Sequence, residues 1–433
     1  MQQLAPLAFV LAFLAAAFAA SPLGHNKAVV CYVSSWAVYR PGNGVFTVSD
    51  INPNICSHLV YAFAGLNATD NTIITLDKYN DLEEDYGKGN YKKITGLKNQ
   101  YPHLKVSIAI GGWNEGSANY SHMASTPTTR QQFIRSVVNF LRKYNFDGLD
   151  LDWEYPTQRG GVPSDRENFV ALVRELRQEF DKNGWLLTAA LGASTAVIEK
   201  AYDVPMLGKY LDYMHIMCYD YHGTWDKMTG ANAPLYGSSP SDTLSVDNSI
   251  RYYLKLGAPA KKLLMGVPLY GRTFMSDANA NMGGLGAPAE EKSFQGPYTK
   301  EDGYMGYNEI CLELKTNSSM WTIMWDDKSS TPYAVSTNKV IVYDNAKSLT
   351  EKVNLAMKLE LGGIMVWPLD TDDFRGECSE GIYPLMHTIN KAIVQSSQQK
   401  SDSSGMKVPD STAAASCGCA SLIFLSFLYL FQL

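Results

Sequence analysis

The chain is 433 residues long with 45% hydrophobic and 18% charged residues, the balance of a globular protein and not of a disordered one. That length suits two or three average domains, or one α/β barrel with additions. A formal net charge of −6 argues against nucleic acid and anionic polymers as partners and leaves a neutral ligand as the natural match.

In chain order, Met1 to Ala20 reads as a secretory leader. Its apolar run Leu7–Phe18 is too short for a membrane span, and Ala17-Phe18-Ala19 supplies a small-x-small cleavage site. Eight β-type apolar runs then follow: Ala28–Ser34, His58–Phe63, Lys105–Gly111, Gly148–Glu154, Leu186–Leu191, Tyr213–Tyr219, Leu263–Pro268 and Gly363–Trp367. Amphipathic stretches lie between many of them, for example Thr128–Tyr144, Asp165–Asp181 and Leu349–Leu361. Strands alternating with helices predict a (β/α)8 TIM barrel over residues 21–395. The stretch between the seventh and eighth strands is too long for a loop, so residues 274–345 are expected to form a small α+β insertion.

From Ser396 the chain turns polar and small, then ends in the apolar run Leu422–Leu433. Small residues at Asp410-Ser411-Thr412-Ala413, a spacer and a short apolar tail match a glycolipid (GPI) anchor signal; the competing reading is a frayed terminus. Sequons mark Asn67, Asn119 and Asn317 as glycosylation candidates. Seven cysteines are scattered, without a C-x-x-C, so no zinc site or other metal is expected. In an oxidising compartment Cys31 with Cys56, and Cys311 with Cys378, can pair, although spacing alone does not fix connectivity. Cys218 lies inside an apolar strand, as a buried thiol would.

The most informative stretch is Asp147-Gly148-Leu149-Asp150-Leu151-Asp152-Trp153-Glu154-Tyr155. On an extended strand, Asp150, Asp152 and Glu154 share one face at intervals of about 6–7 Å, while Leu149, Leu151 and Trp153 face an apolar layer. A calcium loop would need turns between its ligands, and a solvated edge would not alternate with Leu and Trp. Asp147 has the wrong parity for the row and reads as a cap or hydrogen-bond partner. Like charges oppose each other's ionisation, so at least one of the three should keep its proton, as a general acid for a glycosidic oxygen must. Other strand ends converge on the same rim: Gly111-Gly112-Trp113-Asn114, Met217-Cys218-Tyr219-Asp220, Tyr270-Gly271-Arg272 and Trp367.

These residues resemble the animal chitinases of glycoside hydrolase family 18, of the chitotriosidase-like and acidic mammalian types. The resemblance rests on D-G-x-D-x-D-x-E at Asp147–Glu154, the run Ser107–Gly112 and M-x-Y-D at Met217–Asp220, and it spans about residues 28–394. It implies a retaining, endo-acting hydrolase of β-1,4-linked N-acetylglucosamine, with chitin and chito-oligosaccharides as partners, no cofactor and a monomeric state. Glu154 would be the acid/base, Asp152 would orient the acetamido group, Asp150 would share protons beneath it, and Tyr219 would bond the acetamido carbonyl. Trp367 would floor the site, with Tyr32, Trp36 and Trp113 along the groove. Gly111, Gly112, Asn114, Tyr155, Met217, Cys218, Asp220, Tyr270 and Arg272 would complete the substrate contacts. For Trp36 core packing is an equal alternative, and Arg272 reads also as an ion-pair residue. The resemblance further implies the bridges Cys31–Cys56 and Cys311–Cys378.

Two positions depart from the family pattern. Glu115 stands where an aromatic is common, and Lys78-Tyr79 replaces a Glu-Trp pair; both are expected near the groove. The rival readings are an oligosaccharide-binding lectin of the same fold, which would lack the terminal Glu, and an endo-N-acetylglucosaminidase acting on N-glycans.

Overall fold

A computed structural model describes residues 21–276 and 284–405. The leader, the anchor signal and Cys417 and Cys419 lie outside the described residues. Eight parallel strands close into a barrel: β1 (Ala28–Ser34), β2 (His58–Asn67), β4 (Lys105–Gly111), β5 (Gly148–Asp152), β6 (Leu186–Gly192), β7 (Tyr213–Met217), β8 (Leu263–Pro268) and β14 (Gly363–Trp367). Pairing of β1 with both β14 and β2 completes the ring, so the chain is a TIM barrel. The strands are Val-, Ile- and Leu-rich because a parallel barrel buries both faces of each strand. The two faces carry separate cores. Val30, Tyr32, Val60, Ala62, Ala109, Leu264 and Met365 cluster inside the barrel, and Leu149, Leu151 and Trp153 join the larger core outside it.

Helices cover the outside. That over Pro127–Tyr144 starts with Pro at its first turn and Thr126 as N-cap, buries Phe133, Ile134, Val137 and Leu141 on one stripe, and ends at Asn145 in the left-handed region (φ 59°). Asp147 accepts from the Val106 N–H (2.8 Å) and Lys98 (3.1 Å), the hydrogen-bond role its parity suggested.

Four strand ends differ from the sequence expectation, that of β6 by one residue, to Gly192. β2 runs on to Asn67 because Ala64–Asn67 pairs with an antiparallel hairpin arm, β3 (Thr72–Thr75). β5 stops at Asp152 and β7 at Met217, since the residues beyond turn away to build the rim. The C-terminal helix, Pro384–Gly405, passes the polar switch at Ser396; Ser396 there bonds Asn354 (2.9 Å) and Ser397 bonds the Ile393 carbonyl (2.9 Å), so polarity alone did not end it.

Between β8 and β14 the chain forms a second sheet of five strands: β9 (Tyr270–Met275), β10 (Tyr304–Gly306), β11 (Thr322–Asp326), β12 (Thr331–Ser336) and β13 (Lys339–Val342), in the order β10-β9-β13-β12-β11. The helix Tyr307–Thr316 belongs to this unit, and its Cys311 is bonded to Cys378; Cys31 on β1 is bonded to Cys56. β9 follows β8 after one residue, which places Tyr270 and Arg272 beside the barrel mouth. No helix among the described residues is long and apolar enough to cross a membrane.

Candidate active site

The acidic row starts in the barrel interior. Asp150 is fully buried and fully partnered: the Tyr32 hydroxyl donates to its Oδ2 (2.6 Å), Thr188 donates to Oδ1 (2.5 Å), and His215 Nδ1 lies 3.2 Å from Oδ1. His215 Nδ1 also sits 2.8 Å from the Tyr32 oxygen. Tyr32 is therefore a correction to the groove assignment: it is 2% exposed and braces Asp150 from below.

Asp152 comes next, opposite Gly111 on β4. It too is buried, yet its Oδ1 has no hydrogen-bond partner. Buried acceptors are rarely left unpaired, so this atom is poised for a donor that arrives with a ligand. Burial, then the charges of Glu154 and Asp150, hold the Asp152 carboxyl well above its ordinary range. The Glu154 carboxyl is pushed from 4.5 to about 7, chiefly by burial, with the Tyr155 hydroxyl and Arg159 opposing the shift. The spacing of the acidic row suggests a proton retained through like charge alone. In the folded protein desolvation is the larger cause for both groups, because the barrel mouth removes water from them.

Glycine makes this packing possible. At Gly111 (φ +115°) an added Cβ would stand 2.0 Å from the Asp152 carbonyl, and at Gly112 (φ +88°) 2.9 Å from the Phe63 ring. Gly112 N–H donates to the Asp152 carbonyl (2.8 Å), so this pair fixes the backbone beside the acid row.

Aromatic rings form the walls. Trp367 sits among Tyr32 (5.7 Å between centroids), Phe63 (5.9 Å) and Trp36 (6.1 Å). Trp36 is 44% exposed and stacks on Phe63, which decides against core packing. Trp113 is 58% exposed, with the Arg159 guanidinium 3.5 Å from its ring centroid, and Asn114 is exposed beside it. Tyr219 is half-buried beyond β7 and feels Asp152, Asp220 and Glu154; its hydroxyl meets only the Met365 sulfur, at 3.8 Å. Tyr155 packs against Gly192 and hydrogen-bonds Glu154. Met217 faces the barrel interior.

Asp220 adopts a left-handed backbone (φ 56°) and gathers the Tyr270 hydroxyl (2.7 Å) and Arg272 (2.7 Å) onto one carboxylate oxygen. Arg272 is thus in an ion pair with Asp220, the second of its two readings. Cys218 does not belong here. It is fully buried in the outer core, where burial pushes its thiol up to about 12, because its parity is opposite to that of Met217 and Tyr219.

The Glu115 carboxylate is engaged within the protein, while Lys78 is exposed. Glu115 folds back to accept from the Leu66 N–H (3.1 Å) and the Tyr120 hydroxyl (2.8 Å). Tyr79 is 57% exposed and shares the Lys88 ammonium with Tyr39, at 5.6 and 5.0 Å. Among the described residues one grouping has metal-ligand character, Cys311, Asp373 and Cys378. Its sulfurs are bonded to each other, and Asp373 accepts from the backbone N–H groups of Glu377 and Cys378.

Sequence reasoning missed His215, Thr188 and Phe63, although strand parity marks the first two: His215 shares a face with Met217, and Thr188 pairs with Asp150 across β6. Arg159, on a loop, gave no such signal.

Comparisons with known proteins place the fold among relatives. "Probable chitinase 2" of Drosophila melanogaster is 53% identical over 396 residues, covering 86% of this chain and 81% of its own. The crystal structure of Ostrinia furnacalis Group IV chitinase superposes with a TM-score of 0.81 at 46% identity, covering 85% of this chain and 99% of that one. Human YKL-39, described as a pseudo-chitinase with retained chitooligosaccharide binding, gives a TM-score of 0.77 at 35% identity over 85% of this chain and 99% of its own. The profile of glycosyl hydrolases family 18 matches residues 28–372, and the chain belongs to that family.

Proposed function

We propose that this protein is a chitinase that cleaves β-1,4 bonds between N-acetylglucosamine units in endo fashion, with Glu154 as general acid and base. One observation carries the reading: a carboxyl held at about 7 adjoins a buried, partly unpartnered Asp152 beneath an aromatic box open to solvent. A carboxyl titrating near 7 keeps its proton in mildly acidic solution and gives it up readily to a leaving oxygen.

The steps follow from the groups present. Glu154 protonates the glycosidic oxygen as the bond to the anomeric carbon breaks. The substrate's own acetamido oxygen attacks that carbon from the opposite face and closes an oxazolinium ring. The free Oδ1 of Asp152 accepts the acetamido N–H, whose positive charge grows in this step, and the Tyr219 hydroxyl donates to the acetamido oxygen. Water, deprotonated by Glu154, then opens the ring with net retention, the substrate-assisted variant of glycoside hydrolysis. Trp367 supports the distorted sugar, while Trp36 and Trp113 offer faces for neighbouring units. Complexes of related Ostrinia furnacalis chitinases, Group IV with allosamidin and a mutant of the Group II catalytic domain 2 with a penta-N-acetyl-chito-oligosaccharide, support a chito-oligosaccharide as ligand.

The alternative, an oligosaccharide-binding lectin, is favoured by the likeness to YKL-39 and opposed by the presence of Glu154, Asp152 and Tyr219 together. Glu154→Gln with chitin hexamer separates the two. Hydrolysis is expected to fall by about 10²–10⁴-fold while hexamer binding persists, and residual turnover above roughly a tenth of wild type would reject Glu154 as the acid. The wild-type product ladder from the same hexamer reports endo cleavage. Extracellular delivery fits the two disulfides. A glycolipid tether from the C-terminal signal predicts release from cell membranes by a phosphatidylinositol-specific phospholipase, and attachment that survives the enzyme counts against it.

A further inference from the structure

β11 is the outer strand of the insertion sheet, paired on one side with β12 and without a strand partner on the other among the described residues. Edge strands in soluble proteins normally carry a charge, a proline or a bulge that blocks pairing with another chain. On β11 the one charge is Asp326 at its far end, where it accepts from the Ser329 N–H (2.7 Å), and Thr322-Ile323-Met324-Trp325 before it carries none of these. Its register with β12 sends Met324 to the face of Tyr333 and Ile323 to the face of Ala334. Each face presents an open apolar side chain, Ile323 (58% exposed) on one and Met324 (44%) on the other, and Met320 just before the strand is 64% exposed.

The sequon Asn317-Ser318-Ser319 ends two residues before this strand. Asn317 is the C-cap of the helix Tyr307–Thr316, half-exposed, and Ser318 and Ser319 are exposed. One carboxylate fixes its position relative to β11. Glu313 accepts from Asn317 Nδ2 through one oxygen (2.9 Å) and from the Trp321 indole N–H through the other (2.9 Å). The atom that would carry a glycan is thus held within one carboxylate's width of Trp321, the residue just before the strand. A substituted amide nitrogen keeps one N–H, so the bond to Glu313 survives modification.

We infer that Asn317 carries an N-linked glycan whose function is to cover the apolar edge of β11 and prevent strand-to-strand association of two copies of this chain. A hydrated, bulky oligosaccharide does by exclusion what a lysine or proline would do on the strand itself. The sugar also leaves the middle of the strand free of charge, so it can pair with β12 along Thr322–Trp325.

The test uses the full chain secreted from a eukaryotic host. Peptide mass spectrometry after glycosidase release reads occupancy at Asn317. Sedimentation at increasing concentration compares wild type with N317Q and with S319A, which abolishes the sequon while keeping the Asn317–Glu313 bond. Wild type is expected to be occupied and monomeric, both variants to self-associate about tenfold or more tightly, and I323K added to either to restore the monomer. Hydrolysis of a soluble chitobioside should be equal in all, since none of these residues approaches the groove. A bare Asn317 in secreted protein overturns the inference, and so do aglycosyl variants that sediment like wild type.

Discussion

Replacing Glu154 by Gln should open a pH-dependent gap in stability. The Glu154 carboxyl moves from 4.5 to about 7 on folding, mainly because the barrel mouth strips water from its charged form. Between those pH values the folded protein holds a proton that the unfolded chain has released. Stability therefore falls as pH rises through this window and levels off above it. At 1.36 kcal/mol per pH unit the shift corresponds to about 3 kcal/mol by pH 8. A glutamine amide in the same place is uncharged at every pH and escapes the penalty. The lost charge also relieves the part of the Asp152 shift that Glu154 imposes, which acts in the same direction. Urea denaturation of both proteins at pH 4 and pH 8 provides the assay. Any pH-independent effect of the substitution, such as a changed bond to Tyr155, cancels in the comparison. The variant should gain about 3 kcal/mol on wild type between the two conditions. A gap that stays constant, or widens in favour of wild type, would show that Glu154 ionises at no cost and would remove the physical basis for its role as an acid.

Two further substitutions probe the surroundings. Arg159 packs on Trp113 and donates to the Glu154 carbonyl (2.9 Å), and its charge draws the Glu154 pKa down. R159A should therefore move the alkaline limb of kcat/KM to higher pH and raise KM about threefold or more as Trp113 loses its stacking partner; R159K should keep the limb but not the KM. A profile and KM both unchanged in R159A would discount the contact. Far from the groove, Lys352 and Asp344 form a wholly buried ion pair, with Ser348 also donating to Asp344 (2.6 Å). K352M leaves Asp344 without its counter-ion, which should cost about 3–5 kcal/mol in urea denaturation, and D344N/K352M should recover most of it; a loss below roughly 1 kcal/mol in K352M would show that the lost ion pair is not what holds this site.

The barrel was legible because period-two alternation and α/β alternation are local signals that a parallel barrel obeys without exception along β5: Leu149 and Leu151 lie outside, Asp150 and Asp152 inside. The same parity, applied consistently, excludes Cys218 from the barrel interior and brings His215 into it, beneath the acid row. Both follow from alternation along one strand, and both are obscured when the motif is taken as a continuous string. What parity cannot give is depth. Tyr32 and Trp36 lie on one stretch of chain, yet one is buried beneath Asp150 and the other opens to solvent, because the strand ends between them at Ser34. Loop contacts were out of reach for a different reason. Arg159 meets Trp113, and Glu115 meets Leu66, only after three separate strand ends have been brought to one rim, so no local pattern encodes them.

Depth also decides the chemistry of the acid. A row of carboxylates in water would share its protons through mutual repulsion, and that effect weakens with salt and distance. In this protein the removal of water dominates the shift of Glu154, and like charge falls mainly on Asp152. The site's acidity then depends on the walls that keep water out, Trp367, Tyr155 and Tyr219, as much as on the acidic motif. Occupation of the groove by a sugar, which excludes more water, should raise the Glu154 pKa further and hold the proton until the glycosidic oxygen takes it.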